Sequence, residues 1–193
     1  MGLTAEVLLV NTEYLKSLTN LNGAVDDNLI VPSIILAQDK YLQQWLGTDL
    51  YNKIKNDVAG IDGGSVTGAY ATLLNSYIRK VVCWWTMVEL VPNLYVKLDN
   101  GQLSIRQGSN TAPIEPADLN RELERARQNA QFYTQRLIDF LCQNTSDYPE
   151  YTSNTSPDMQ PQRQTYFQNG MTISHGNYPW SQSDLYWYQY MVK

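Results

Sequence analysis

Apolar residues recur along this chain at steps of three and four, the signature of helices that bury one face. Ile30, Ile34, Ala37, Tyr41 and Trp45 form the first such stripe. Asp26 or Asp27 is placed to cap the opening N–H groups of that helix, Pro32 falls near its first turn, and Gly47 suits the left-handed residue just past its end. Thr48 is expected to cap the next helix, which carries Leu50, Ile54 and Val58 on one face and stops at Gly60. The loop Ile61-Asp62-Gly63-Gly64-Ser65 follows. A third helix is predicted from about Ala69 to Val91. Its stripe is Tyr70, Leu74, Tyr77, Val81, Trp84, Val88 and Val91, widened by Leu73, Ile78, Val82 and Trp85. A helix apolar over so much of its circumference belongs at the centre of a bundle, and Pro92 is expected to end or kink it. The last long helix opens near Pro116 and presents Leu119, Leu123, Ala126, Ala130, Tyr133, Leu137 and Phe140. The spacing admits a coiled coil. Two stripes of like period and length favour packing against the third helix within one bundle.

Shorter signals fill the rest. Glu6 to Val10 can pair as a strand, and Thr12 can cap a short helix through Leu18. Asp99, Asn100 and Gly101 lie between Val96 and Leu98 on one side and Leu103 and Ile105 on the other, a β-hairpin pattern. Gln168-Asn169-Gly170 offers a second hairpin. From Asp147 onward aliphatic residues become scarce and Tyr, Trp, Pro, Asn, Gln and Ser dominate. The predicted fold is therefore mainly α, a helical bundle with a small β-hairpin and an extended aromatic-rich C-terminal tail. The helical domain is assigned to residues 1–146, with the hairpin near 94–106, and the tail to 147–193. So few aliphatics give the tail no core of its own; it must wrap the helical domain or pack on a neighbour. Tyr178, Trp180, Tyr186, Trp187, Tyr188 and Tyr190 are its candidate anchors, because buried Tyr and Trp gain large contact area at low side-chain entropy.

Composition sharpens this picture. Charged residues make up only 17% of the chain, below the usual ~25%. Polarity comes from amides and hydroxyls, and such a surface suits protein–protein contact. The net charge of −5 and the lack of Lys/Arg blocks argue against specific nucleic-acid binding. The start MGLTAEVLLV has neither a basic segment nor a long apolar run, so no secretory leader is expected and the Asn144 and Asn154 glycosylation patterns carry no weight. No apolar run is long enough to span a membrane.

Specific chemistry is hard to place. His175 is the single histidine, in a polar stretch without an acid or cysteine motif beside it. Cys83 and Cys142 lie in apolar helical stretches and read as buried thiols, with no metal-ligand spacing. The glycines at 60, 63, 64 and 68 lack the strand before and the Lys-Ser/Thr after that a phosphate loop needs. Trp84-Trp85 reads as core rather than as a stacking platform. No catalytic, cofactor-binding or metal-binding residues are assigned, no cofactor is expected, and the chain reads as a non-enzyme.

Three segments resemble a known family. They are DNLIVPSIILAQDKYLQQWLGTDLYNKIKND from Asp27 to Asp57; the Trp-rich helix ending in Glu89-Leu90-Val91-Pro92 with Asp99-Asn100-Gly101 after it; and Arg136-Leu137-Ile138-Asp139-Phe140-Leu141-Cys142 continuing to Tyr148-Pro149-Glu150-Tyr151. Together they are similar to the head–tail connector (adaptor) proteins of tailed bacteriophages, in the crAss-like version, over about residues 4 to 151. The resemblance implies a ring subunit, usually of twelve copies, located in the virion at the head–tail interface. It would join the portal protein to adjacent tail or ring proteins while genomic DNA passes through the lumen without specific binding. A negative subunit suits such a channel, since cationic contacts would hold phosphate. Asp99, Asn100 and Gly101 are then interface candidates beside the tail aromatics. The competing reading is a non-catalytic binding module whose Tyr/Trp-rich segment recognises a glycan or peptide.

Overall fold

The computed structural model describes residues 6–63, 65–99, 102–105 and 115–163. Asn100 and Gly101, the second hairpin, His175 and the anchors from Tyr178 to Tyr190 lie outside the described residues. The fold is mainly helical. Its elements are α1 (Thr12–Leu18), α2 (Asp27–Ala37), α3 (Gln43–Leu46), α4 (Thr48–Ala59), α5 (Gly68–Leu73), α6 (Arg79–Tyr95), α7 (Pro116–Gln143) and α8 (Pro149–Ser153). Between α6 and α7, the strands β1 (Val96–Asp99) and β2 (Gln102–Ile105) pair antiparallel, with Val96 opposite Ile105 and Asp99 opposite Gln102.

Two π-helical turns decide which residues reach the core. One, Gln38–Leu42, joins α2 to α3; the other, Leu74–Ile78, joins α5 to α6. A π turn adds a residue to the helical circuit and so rotates the apolar stripe. In the first helix Ile30, Ile34 and Ala37 are buried at ordinary spacing, and the next fully buried apolar residue is Leu42, a step of five. Tyr41, expected on that stripe, is half-buried instead. In the second helix the step of five falls between Leu73 and Ile78, both fully buried. The row that merely widened the predicted stripe, Leu73, Ile78, Val82 and Trp85, is thus buried throughout. Tyr70, Tyr77, Trp84 and Val91 remain half-buried along its edge.

Several local expectations shift. Asn11, not Thr12, caps α1, its side chain accepting from the Tyr14 amide at 2.9 Å. Asp26 caps α2 through the Asn28 amide at 2.9 Å. Pro32 sits inside α2 in its second turn, where it gives up one helical hydrogen bond. Pro92 does not end α6, which continues to Tyr95. Near the C-terminal end a single lost N–H is tolerated because the helix is held by packing on both sides. The arm before α1 does not form a strand. Gln38, fully buried in the π turn, does a strand's work for it. Its side-chain oxygen accepts from the Leu9 amide at 2.8 Å and its nitrogen donates to the Val7 carbonyl at 3.0 Å. A buried amide must be paired, and this pairing seats Leu9 and Val10 in the core.

α6 is central. Lys40 meets Glu89 while Tyr41 stacks on Trp85 at 3.9 Å, so the α2–α3 helix runs antiparallel to α6 on one side. Tyr77 stacks on Phe140 at 4.1 Å and the Trp85 indole N–H donates to Thr134 at 3.0 Å, so α7 runs antiparallel on the other. Buried Ala126, Ala130, Thr134, Leu137, Ile138 and Leu141 form the α7 seam, an intramolecular bundle contact rather than a coiled coil between chains. Leu119 and Leu123, expected on this seam, are only half-buried and lie outside the core cluster. Cys83 is buried, and burial raises its thiol pKa to about 12. Cys142, read as buried, is exposed, because it falls on the polar side of α7 next to buried Leu141.

The chain stays on the bundle past the composition boundary at 147. Tyr148 and Tyr151 are buried in the same core as the helices. Their hydroxyls remain within reach of polar partners: Tyr148 donates to the Ala69 carbonyl at 3.0 Å, and the Tyr151 oxygen lies 4.0 Å from the Cys142 sulfur. Tyrosine can therefore enter this core where the sequence has run out of aliphatics.

Candidate functional site

Two features stand out from ordinary bundle packing, one polar and one apolar. The polar one is the corner between α3 and α4. Gly47 turns the chain there with φ of 76°, a left-handed value that other residues adopt at a cost. It caps α4 without a side chain, so the opening amides of α4 need other acceptors. Residues 154–162 supply them. The Thr48 amide donates to the Met159 carbonyl at 3.1 Å and the Asp49 amide to the Asn154 side-chain oxygen at 3.2 Å. In return the Met159 amide donates to the Thr48 hydroxyl at 3.0 Å, and that hydroxyl donates to Asp158 at 2.9 Å. Thr48, expected as a cap, is instead the first helical residue and a fastening for this strap. Gln162 closes it with a backbone bond to Gln44 at 2.9 Å. The strap lies so close that a Cβ on Gly47 would stand 2.8 Å from Pro161.

Around this corner tyrosine hydroxyls are paired with carboxylates. Tyr51 donates to Asp39 at 2.7 Å, Tyr70 to Glu150 at 2.7 Å, and Tyr41 to Glu89. Burial first, and the neighbouring carboxylate second, push all three phenols above their usual range. Protonated phenols at neutral pH act here as fixed donors. Burial raises the Glu89 carboxyl, but hydrogen bonds from Lys40 and Tyr41 outweigh it and the net shift is downward. These pairs tie separate helices together. Among the described residues, no group of three or more His, Cys, Asp or Glu side chains is placed to hold a metal ion.

The apolar feature is a groove of about 420 Å³ at the other end of the α6–α7 pair. Its walls are Leu18, Leu21, Trp84, Met87, Val91 and Leu119, and Glu122 and Arg125 stand at its rim. The half-buried row of α6 explains how it arises. Tyr70 is covered edge-on by Tyr148 at 5.6 Å, and Tyr77 is covered face-on by Phe140. About two and four turns beyond Tyr77, Trp84 and Val91 belong to the same row but line the groove instead. The Trp84 indole nitrogen is shielded from solvent and has no acceptor among the described residues. Trp85 took the core position expected of the pair; Trp84 did not.

Of the interface residues expected from sequence, Asp99 closes the β1–β2 ladder opposite Gln102, and the others lie outside the described residues. The groove was not anticipated. Its signal was present in the stripe itself, where Trp84 and Val91 recur at seven-residue spacing with Leu119 on the facing helix, but no periodicity says which turns of a stripe are covered.

A model of a family of unknown function, DUF6712, matches residues 42–160, and the chain belongs to that family. The match runs from the end of the first π turn to the strap, so it takes in the clasped corner, α6, α7 and α8. No curated protein and no solved structure matches the chain. Among the described residues, no helix is long and apolar enough to cross a membrane.

Proposed function

We propose that the chain is a structural virion protein, a ring-forming subunit that joins the capsid portal to the tail and lines the channel for DNA. One observation carries this reading furthest. The described core closes on residues from Leu9 to Tyr151, and the strap then fastens to the α3–α4 corner. Among the described residues the core takes in aromatic residues as far along as Tyr151 and has a seam, fastenings and caps of its own. Tyr178, Trp180, Tyr186, Trp187, Tyr188 and Tyr190 follow that closure in sequence. They supply association energy to something else, an adjacent subunit or the next component of the tail. A charge-poor surface is compatible with permanent contacts, and the net charge of −5 with a lumen that lets DNA slide. The β1–β2 ribbon, continuing from the end of α6, is a second arm through which Asp99, Asn100 and Gly101 would reach a neighbour or the channel. The resemblance to connector proteins supplies the virion context and the expected copy number.

Native mass spectrometry of the full chain, with negative-stain imaging of the same sample, tests this reading. A closed ring is expected, of twelve copies if the resemblance holds. A monomer at every concentration, retained on a glycan or peptide array, would replace the ring by the binding-module reading.

A further inference from the structure

α2 is apolar on both of its sides. The side turned to the bundle buries Ile30, Ile34 and Ala37. The side turned away carries Leu29, Pro32, Ile35 and Leu36, half-buried or exposed. No charged residue occurs from Asn28 to Gln38. A surface helix ordinarily keeps its charges on the solvent side, and one that is apolar all round is a helix to be covered all round. Leu36 is left 44% exposed. The other large apolar side chain left open on a long helix is Phe132 of α7, 62% exposed among the described residues. It lies on the side of α7 away from α6, two positions before buried Thr134 and two after buried Ala130. Because α6 lies between α2 and α7, Leu36 and Phe132 look out from opposite sides of the subunit.

Charge says what fits the α2 face. Asp26 stands exposed at the head of α2, and Lys40 stands exposed fourteen positions on, one turn past Leu36. On α7, Arg125 and Asp139 are exposed on the Phe132 face, each seven positions from it and so also fourteen apart. Both pairs span about 21 Å at the helical rise. α2 and α7 each run antiparallel to α6 and therefore parallel to one another. Laid side by side in that direction, Asp26 meets Arg125, Pro32 and Leu36 meet Phe132, and Lys40 meets Asp139. Laid in the opposite direction, like charges meet at both ends. The groups have capacity for a second partner: Arg125 lies 3.9 Å from Glu122, and Lys40 stays half exposed while it pairs with Glu89 at 2.8 Å. Asp26 and Asp139 accept from Asn28 and Gln135 of their own helices.

We infer that the outer face of α2 docks on the outer face of α7 of the next copy of this chain, with the two helices parallel. The contact rests on the ring reading above. Unlike faces on opposite sides of a subunit repeat from copy to copy and close when the rotation allows, and a small rotation at each step keeps α2 and α7 nearly parallel. Rim ion pairs contribute little affinity but fix the register, so this contact selects which faces meet and the tail aromatics remain the main source of association energy. The test uses the full chain with the exposed native thiol removed as Cys142→Ser and with Asn28→Cys and Gln128→Cys added. Both added sites are exposed, stand opposite one another in this register, and leave Pro32, Leu36 and Phe132 intact. After assembly a short bismaleimide is added and the products are sized under denaturing conditions. A ladder of covalently joined chains is expected from the double variant and none from either cysteine alone. Assembled rings that give no ladder would overturn the pairing of faces and leave the ring reading standing. Joined dimers from one cysteine alone would show like faces meeting and overturn it as well. A chain that never assembles would overturn the ring reading and this contact with it. As a second variant, Phe132→Glu changes an exposed position, so its far-ultraviolet circular dichroism should match the parent. Its association should weaken about tenfold, because a carboxylate would be covered without a partner. Unchanged association would contradict the proposal.

Discussion

The two ends of α7 teach different lessons about one amphipathic pattern. From Ala126 to Leu141 its stripe is sealed against α6: Leu137 is fully buried, Thr134 receives the Trp85 indole, and Phe140 covers Tyr77. From Leu119 to Ala126 the stripe continues with the same period but opens onto the groove. Periodicity records which face is apolar. It does not record whether the cover comes from the same chain. A stripe that outruns its intramolecular partner marks a surface available for another contact.

The sharpest way to break this comparison is to truncate the two ends alike. Leu137→Ala should cost ~2–5 kcal/mol, the usual penalty for a cavity in a packed core. Leu119→Ala should cost no more than about 0.5 kcal/mol in the monomeric subunit, as for a surface change. Equal losses in urea unfolding would mean that the groove end is core after all. The clasped corner offers a control remote from both. Gly47→Ala forces a side chain into a left-handed turn and against Pro161, and should destabilise by about 1–3 kcal/mol. Limited proteolysis of this variant should cut first within residues 154–162, before either long helix.

The two adjacent tryptophans sharpen the contrast. Trp85→Phe removes the hydrogen bond to Thr134 and should cost about 1 kcal/mol beyond the lost area. Trp84→Phe removes an N–H that has no acceptor among the described residues, so it should cost less. Thermal unfolding of the pair checks the order. The smallest effect expected is electrostatic. Glu89 is held below its ordinary value of 4.5 by Lys40 and Tyr41, so its contribution is present above that value and is lost as pH falls through the folded pKa. It should amount to on the order of 0.5 kcal/mol, since Lys40 is half exposed. Comparing wild type with Glu89→Gln at neutral pH and below pH 4.5 should show the difference shrinking in acid.

Much of the bundle could be read from the sequence because burial and helical period speak together. The caps at Asp26 and Gly60, the start at Pro116 and the pairing of the two long stripes all follow from side-chain chemistry visible along the chain. The π turns could not be read. A stripe written at steps of three and four passes smoothly over Leu73 to Ile78, and only three-dimensional packing shows that one extra residue has rotated the face. The Gln38 bridge to the arm was hidden for a similar reason: a polar residue in a helix looks solvated until something without a partner strand lies beside it. The strap was masked by its composition. Asn, Thr, Ser and Pro from 154 to 162 read as loop, and their target, the bare amides behind Gly47, appears only once the corner is built.

The central claim is that this subunit holds its own fold with residues up to the strap and assembles with residues beyond it. Sedimentation of the full chain against a chain lacking residues 178–193, read beside far-ultraviolet circular dichroism, tests it directly. The claim predicts an unchanged helical signal with the oligomer reduced to monomer. A truncated chain that loses its helical signal, or one that still assembles, would contradict it.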